Sequence, residues 1–207
     1  GELLKDKDIY FVVDAAQSVP HLKIDVQKMN CDFLAFSAHK MCGPTGIGVL
    51  YGKKTLLEKF DPVEFGGGMI GIVEDTSATW AVLPDKFEAG TPNIPGIYGL
   101  EKALEFIENT GVNTLYKHTD MLYKRFITGL YNLKLQDRIK ILGKEERDNS
   151  GVISLDFTGL DNALICRELA CRYRIFTRCG LHCAPRAHKT LGSGLRGSIR
   201  FSFGYYN

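Results

Sequence analysis

The chain has 207 residues, of which 44% are hydrophobic and 24% are charged. These proportions are close to the globular average, so they exclude a disordered, collagen-like or membrane-spanning chain. With 26 basic against 24 acidic residues the net charge is +2, which indicates neither a nucleic acid nor an anionic membrane as a partner.

Short apolar runs and loops alternate in the first part of the chain. Residues 9–13, 31–36 and 48–51 are apolar runs that predict strands of an α/β sheet. The polar, Gly/Pro-punctuated segment 37–46 joins the last two, and such loops at strand ends often carry functional sites. A short helix is predicted over 53–60. Residues 61–98, rich in Gly and Pro, are predicted to form a functional or interface loop.

Two helices follow this loop. The apolar residues Ile97, Leu100, Leu104 and Ile107 are spaced as one helical face, and Gly111 ends that helix. A longer helix is predicted over 112–133. Beyond it the pattern changes, because residues 139–142 and 152–157 alternate like half-exposed strands.

The last part of the chain predicts a small α+β unit. Asp161 is a candidate N-cap for a helix that reaches Cys171. A strand over 175–178, a short helix near 187–191 and a strand over 198–203 complete the pattern. We therefore expect a first domain over residues 1–124 and a small α+β domain over residues 125–207.

The cysteines and the chain ends indicate the setting of the protein. The cysteines are too few and too scattered for a disulfide scaffold, so we expect free thiols in a reducing compartment, with a cytoplasmic location. No signal peptide is recognisable. Because the chain begins without Met and both ends look cut, we expect a piece of a longer protein. The six cysteines are Cys31, Cys42, Cys166, Cys171, Cys179 and Cys183.

Asp14 and Lys40 form the first candidate constellation. Asp14 follows the first predicted strand and Lys40 lies in the loop after the second, so both can face one crevice. Partial desolvation would lower the pKa of the lysine and free its amine for Schiff-base chemistry. Pyridoxal phosphate requires an amine, a carboxylate for its ring nitrogen and donors for its phosphate. Spacing alone favours the simpler interpretation, a solvated lysine and a turn-capping aspartate.

Cys183 is the centre of the second constellation. It lies in a Gly/Pro-bounded loop beside His182 and near basic residues, and positive neighbours favour the nucleophilic thiolate. A buried, inert thiol is the alternative, which fits the strand residue Cys31 and the helix residue Cys171 better. A third interpretation is zinc, although zinc ligands usually come as pairs from separated elements. Its four ligands would be Cys179, His182, Cys183 and His188.

Arg200 lies in the last predicted strand, among apolar residues. A guanidinium group there can bind a ligand carboxylate through two hydrogen bonds. The alternative is an arginine on the solvent face of an alternating strand.

Four segments carry recognisable motifs in a fixed order: VVDAAQ at 12–17, FSAHKMCGPTGIG at 36–48, FEAGTPN at 87–93 and RCGLHCA at 178–184. Together they resemble the cysteine desulfurase and selenocysteine lyase family of class V aminotransferase-like, fold-type I pyridoxal phosphate enzymes. The resemblance covers nearly the whole chain. It implies an α/β fold in which part of a large domain, with a mixed and mostly parallel sheet, precedes a small α+β domain.

The resemblance implies pyridoxal 5'-phosphate as cofactor and assigns residues to it. Lys40 would bind the cofactor covalently, and Asp14 would keep its ring nitrogen protonated. Thr91 would reach the phosphate in a neighbouring subunit, which implies a homodimer. The remaining contacts would be Gln17 to the ring hydroxyl, with Ser37 and His39 to the phosphate.

The resemblance also implies the reaction. Cys183 would take the sulfur of L-cysteine as a persulfide, alanine would leave, and Arg200 with Arg178 would hold the substrate carboxylate. A sulfur-acceptor protein, as in iron–sulfur cluster assembly, would then take the sulfur by thiol exchange. Cys179, four residues before Cys183, is either a resolving thiol or incidental.

Two departures from the family keep alternatives open. The family's N-terminal segment, with its ring-stacking histidine, and its closing C-terminal helix have no counterpart in this sequence. The function of the parent protein is therefore kept separate from the activity of this chain. Alternatives are a selenocysteine lyase or another class V lyase or aminotransferase. In a different class, the chain is an inactive truncated fragment or a non-catalytic scaffold.

Overall fold

The computed structural model describes residues 1–143 and 151–207, which form a mixed α/β fold as predicted. Contacts divide the chain into two compact units, Gly1–Val112 and Asn113–Asn207. The boundary expected between residues 124 and 125 falls inside the helix Val112–Asn132, and the domain assignment stays a prediction. Among the described helices, none is both long enough and apolar enough to cross a membrane.

The first unit is built around a mixed three-stranded sheet. Its strands are β1 (Val12–Asp14), β2 (Phe33–Ser37) and β3 (Gly48–Gly52), in that order. The pair β1 and β2 is parallel, and β2 and β3 are antiparallel. β1 begins later than the predicted residue 9, since the Phe11 N–H donates to the Asp32 carboxylate at 2.8 Å rather than to a neighbouring strand.

The two faces of this sheet differ. One face buries Leu34, which is 2% exposed, in a cluster with Ala15 and Cys31. The opposite face leaves Val12 and Leu50 exposed at 61% and 59%. The strand register places Asp14 on that uncovered face, because residues two apart in a strand point the same way.

The segment predicted as one long loop contains a hairpin, which corrects that prediction. Its strands are β4 (Ile70–Val73) and β5 (Ala78–Trp80). The Thr79 hydroxyl accepts a hydrogen bond from the Ile72 N–H at 3.0 Å, and the register shifts between the two paired positions. Strands this short, flanked by glycines, give too little alternation to be recognised in the sequence. The first unit also contains α1 (Val26–Met29) and α2 (Lys54–Leu57).

Helix α3 (Ile94–Thr110) begins earlier than predicted, because the Asn93 side chain accepts from the Gly96 N–H at 3.0 Å and caps the helix. It ends at Gly111 as predicted, where φ is 84°. Its buried positions are the small residues Gly96 and Ala103 together with Leu100. Two of the residues predicted to face inward, Ile97 and Leu104, are 47% and 46% exposed, so the buried face differs from the prediction.

The second unit has a four-stranded antiparallel sheet. Its strands are β6 (Ile139–Leu142), β7 (Val152–Phe157), β8 (Arg178–Gly180) and β9 (Ser198–Ser202), and they lie in the order β6-β7-β9-β8. The strands and helices fall close to the predicted ranges, except that β8 begins at Arg178 rather than at residue 175. Ile175 donates its N–H to the Leu169 carbonyl at 3.0 Å and therefore belongs to the end of the preceding helix. The helices are α4 (Val112–Asn132), α5 (Asn162–Tyr173) and α6 (Pro185–Thr190).

The core of the second unit lies on one face of this sheet. Ile153, Leu155 and Ile199 are at most 3% exposed. Tyr123 on α4 joins this cluster, and the ring of Phe126 lies 4.9 Å from that of Phe201. Helix α5 is capped as predicted by Asp161, whose carboxylate accepts from Ala163 N–H at 2.7 Å.

Candidate functional site

Lys40 is positioned by a short turn at the carboxyl end of β2. The 3-10 turn Ala38–Lys40 follows β2 directly. The Ala38 carbonyl accepts from both the Met41 and Gly43 N–H groups, at 2.9 and 3.0 Å. Ala38 and Met41 are buried against Leu100 of α3, so the backbone on both sides of Lys40 is fixed. The side chain of Lys40 is exposed, and the partial desolvation expected for it is not found in this chain.

Glycines allow this turn to pack closely. A Cβ on Gly43 would approach the Ala38 carbonyl oxygen to 2.9 Å, and one on Gly99 of α3 would approach Pro44 Cγ to 2.9 Å. Both positions therefore require the absence of a side chain. Gly43, in the loop predicted after the second strand, and Gly99 of α3 therefore allow the Lys40 turn to pack closely against this helix.

Asp14 and Gln17 lie at the carboxyl end of the neighbouring parallel strand β1. Asp14 pairs with Ala35 in the β1/β2 register, and its Oδ1 accepts a hydrogen bond from the Ala16 N–H at 3.0 Å. Its carboxylate is exposed, as is the side chain of Gln17 in the following turn. Because parallel strands present their carboxyl ends at the same edge, this edge carries a carboxylate, an amide and the Lys40 amine.

Three more predicted cofactor residues belong to the first unit. Ser37 is the last residue of β2 and is half-buried, and His39 is in the Lys40 turn and exposed. Thr91 is exposed two residues before the Asn93 cap of α3. The Asn93 amide donates to the Gly46 carbonyl at 3.1 Å, which ties the start of α3 to the loop after Lys40. Asn93 is a positioning residue that the sequence motif contained without an assigned role.

In the second unit, Cys183 occupies a turn with unusual backbone angles. The Ala184 N–H donates to the Leu181 carbonyl at 2.8 Å, so residues 181–184 form a tight turn. Its central residues His182 and Cys183 both have positive φ, 51° and 61°. Positive φ at both centres is the type I′ pattern, which normally requires Gly or Asn. A histidine and a cysteine in these positions carry backbone strain of the kind that clusters at functional sites.

The thiol of Cys183 is accessible, as the sequence predicted for this loop. Cys183 is exposed, whereas Cys31 is fully buried. Cys171, predicted to be an internal helix residue, is exposed as well. All six cysteines are free.

His182 anchors the Cys183 turn to β9. The carbonyl of Ser198 can only accept, so His182 Nε2 donates to it at 3.2 Å and carries the ring proton. His182 Nδ1 is buried without a hydrogen-bond partner among the described residues. Burial lowers the pKa of His182 and the Arg200 charge acts in the same direction. The Ser198 hydrogen bond opposes them, and the charges of His188 and Arg178 lower the pKa further. The imidazole is therefore held neutral.

His188 supports this anchor and was recognised in the sequence only as a possible zinc ligand. It is 5% exposed on α6, and its Nδ1 lies 2.7 Å from the Ser193 hydroxyl. Its ring centroid is 5.8 Å from that of His182. The zinc interpretation requires at least three ligands close together. Within residues 1–143 and 151–207, no three His, Cys, Asp or Glu side chains are placed so that they could hold a metal ion. The geometry thus favours a packed histidine pair.

Arg178 and Arg200 lie directly opposite each other on the antiparallel strands β8 and β9. They share the sheet face opposite the one that buries Ile199. Neither forms an ion pair within the described residues, and the Nε of Arg200 is buried without a partner there. Like charges placed directly across a strand pair are destabilising unless an anion lies between them. The pair is suited to a carboxylate.

The comparisons place this geometry in a family. The family model described as Aminotransferase class-V matches residues 1–207, so the chain belongs to the class-V aminotransferase family.

Within that family the chain is similar to proteins named as cysteine desulfurases. It is 42% identical to a probable cysteine desulfurase of Staphylococcus epidermidis over 94% of this chain and 46% of that protein. A probable cysteine desulfurase of Halalkalibacterium halodurans is 43% identical over 95% of this chain and 46% of the relative. The chain therefore spans about half the length of the curated relatives it matches.

Solved structures give the same result. The apo cysteine desulfurase from Thermococcus onnurineus NA1 matches with a TM-score of 0.91 and 38% identity, over all of this chain and 50% of that one. The cysteine desulfurase CsdA from Escherichia coli matches with a TM-score of 0.83 and 36% identity, over 96% of this chain and 48% of that one. These neighbours confirm the mixed α/β fold that the resemblance implies.

Proposed function

We propose that the chain is part of a pyridoxal phosphate-dependent cysteine desulfurase, which converts L-cysteine to L-alanine and keeps the sulfur on Cys183. The observation that carries this proposal is the exposed Cys183 thiol on a strained turn next to strands that bear the Arg178–Arg200 pair. The names of the relatives support the same activity.

The residues of the first unit fit pyridoxal phosphate. The edge at the carboxyl ends of β1 and β2 presents four polar groups. They are the amine of Lys40, the carboxylate of Asp14, the hydroxyl of Ser37 and the imidazole of His39. These groups match an aldehyde, a pyridine nitrogen and a phosphate. When bound, the cofactor supplies an electron sink for the substrate α-carbon.

The residues of this edge either control a proton or form a hydrogen bond to the cofactor. Lys40 Nζ would hold the cofactor, and its free amine would move the proton at the substrate α-carbon. The Asp14 carboxylate holds a proton on the ring nitrogen, because a nearby negative charge favours the protonated form. Gln17 contacts the ring hydroxyl, and Ser37 with His39 contacts the phosphate.

The second unit supplies the substrate contacts. Arg200, with Arg178, binds the substrate carboxylate through paired N–H donors. The Cys183 thiolate would attack the substrate sulfur, so that a sulfur–sulfur bond forms and the carbon–sulfur bond of cysteine breaks. The electron pair of that bond stays with the β-carbon, which takes a proton, and alanine leaves. The neutral His182 keeps the turn fixed to β9 during this step. The resulting persulfide passes its sulfur to an acceptor thiol by exchange.

Three further parts of the proposal concern the assembled protein. Thr91 contacts the phosphate of a second subunit, so the working form is a homodimer. A sulfur-acceptor protein takes the persulfide sulfur. The six free cysteines fit a reducing compartment such as the cytoplasm.

The decisive experiment is a visible absorption spectrum of the chain mixed with pyridoxal phosphate, followed by borohydride reduction and peptide mapping. We expect one cofactor per chain on Lys40. Lys40→Ala should abolish that label, whereas Lys54→Ala, an exposed lysine of α2 in the same unit, should leave it unchanged. Labelling spread evenly over the surface lysines would contradict the assigned role of Lys40.

Sulfur transfer needs its own measurement. With L-cysteine and cofactor we expect alanine, and a persulfide that maps to Cys183. Cys183→Ala should remove the persulfide, and Cys42→Ser, an exposed cysteine of the first unit, should not. Persulfide yield that survives in Cys183→Ala would exclude Cys183 as the acceptor. Competition between cysteine and selenocysteine in the same assay separates a desulfurase from a selenocysteine lyase.

A further inference from the structure

Cys166 and Cys179 form a thiol pair in the second unit that the proposed reaction does not use. Cys166 lies on α5, and its Sγ is 3.0 Å from the hydroxyl oxygen of Thr177. Thr177 directly precedes β8, and Cys179 lies two residues further along. Because side chains alternate along a strand, Thr177 and Cys179 point to the same face, toward α5.

The strand register supports this placement. Cys179 is paired with Ile199, which is fully buried in the core face of the sheet. Burial raises the pKa of the Cys166 thiol, the Thr177 hydroxyl lowers it, and the adjacent Cys179 thiol raises it again through charge and hydrogen bonding. The two sulfurs are therefore neighbours, and both residues are only half-buried, within reach of small oxidants.

We propose that Cys166 and Cys179 are an oxidisable dithiol that a hydroperoxide converts to a disulfide joining α5 to β8. Peroxide transfers one oxygen to the Cys179 thiolate, which becomes a sulfenic acid, and the rest of the peroxide leaves as water or an alcohol. The Cys166 thiol then attacks that sulfur. The S–S bond forms, and the sulfenic oxygen leaves with the thiol proton as water.

The roles of the two thiols follow from their surroundings. A raised pKa makes Cys166 react more slowly with peroxide, so we assign Cys179 as the thiol that is oxidised first and Cys166 as the resolving thiol. Cys179 lies in the strand that leads to the Cys183 turn. The disulfide would fix that strand to α5 and leave the Cys183 sulfur free. The proposal does not depend on the proposed function, because Cys183 takes no part in it.

The test is peptide mapping after oxidation of the full chain. Trypsin cuts after Arg167 and Arg178, so Cys166 and Cys179 fall in different peptides, but Cys179 and Cys183 stay together in 179–186. The Cys183→Ser protein, altered only at an exposed thiol, removes this ambiguity. It is treated with hydrogen peroxide near stoichiometry, blocked with N-ethylmaleimide and digested without reductant.

We expect the peptide ending at Arg167 to be linked to 179–186 in more than roughly half of the protein, reversibly with dithiothreitol. Cys166→Ser and Cys179→Ser should each abolish the linked species, because a disulfide requires both sulfur atoms. Cys171→Ser, an exposed cysteine on the same helix, should not change it. Mapping on the Cys183→Ser protein alone decides the question if either of the half-buried variants fails to fold.

Two kinds of mapping result would contradict the proposal. If Cys166 remains a blockable thiol while Cys179 proceeds to sulfinic acid, the pair is not a dithiol and the proposal is wrong. A cross-link of Cys166 to Cys171, or between two chains, overturns it as well.

Discussion

The two larger sheets of this chain differ in how far their apolar side chains are buried. The four-stranded sheet of the second unit buries Ile153 and Leu155 against α4, and Ile199 is fully buried as well. The three-stranded sheet of the first unit buries one face and leaves Val12 and Leu50 of the other in solvent. Each uncovered apolar side chain forgoes the stabilisation that burial provides, about 1.5–3 kcal/mol when complete.

The same difference separates the candidate site residues. Asp14 lies on the uncovered face of the first sheet and Lys40 on an exposed turn, so their surroundings in this chain are mostly water. His182, His188 and Arg200 have buried polar atoms inside the second unit. The candidate side chains of the second unit are thus held by packing within that unit, whereas in the first unit the backbone around Lys40 is fixed but the side chains are in solvent.

The largest expected effect is on independent folding. We expect residues 113–207, expressed alone, to unfold in one cooperative transition, because their core lies within the unit. Residues 1–112 alone should bind a hydrophobic dye and aggregate, since an apolar sheet face stays exposed. Circular dichroism melts and dye fluorescence of both pieces measure this. A cooperative melt of residues 1–112 without dye binding would remove the contrast between the units.

A pair of leucines tests the same contrast within the full chain. Leu155→Ala removes a side chain that is 1% exposed and should lower the free energy of unfolding by about 2–5 kcal/mol. Leu50→Ala, on the uncovered face, should change it by less than about 0.5 kcal/mol. Denaturant unfolding of both variants gives the values. Equal losses would mean that the exposed face of the first sheet is covered in solution.

The sequence predicted the second unit better than the first, and the reason is physical. The strands 139–142 and 152–157 and the Asp161 cap were found because half-buried strands alternate and a cap has a fixed residue type. The β4–β5 hairpin was missed because its pairing depends on a register shift and on the Thr79 hydroxyl, neither of which leaves a periodic pattern.

The motifs single out candidate residues, whose roles stay predictions, but they do not show how these residues are held. The exposure of Cys183 agrees with its predicted loop. The opposition of Arg178 and Arg200 could not be found, because it depends on the register of β8, which starts three residues later than the apolar pattern indicates. The anchoring of His182 to Ser198 spans 16 residues, and such a non-local hydrogen bond has no signature in local sequence.

The pH dependence of stability provides a smaller effect. Burial lowers the pKa of His182 in the second unit and of His21 in the first. A histidine whose folded pKa is lowered binds its proton more readily in the unfolded chain. Its contribution to stability is therefore complete above about pH 6.5 and is lost as the pH falls below that value toward the folded pKa.

We expect the free energy of unfolding, measured by urea titration from pH 8 to pH 5, to decline below about pH 6.5. His182→Gln and His21→Gln should each reduce the fall in the free energy of unfolding between pH 8 and pH 5. Each reduction should be smaller than the free energy of unfolding lost in Leu155→Ala. A decline that persists unchanged in the His21→Gln, His182→Gln double variant would assign it to carboxylates instead.

The smallest effect concerns the arginine pair on the second sheet. Because Arg178 and Arg200 are like charges directly across β8 and β9, Arg178→Gln should stabilise the unliganded chain by about 0.2–1 kcal/mol at low salt. Arg178→Lys keeps the charge and should show no gain. The gain should shrink in 1 M salt, where the screening length falls to about 3 Å. If Arg178→Gln instead destabilises the chain, the strand pair already holds an anion, and the repulsion that prepares this face for a carboxylate does not exist.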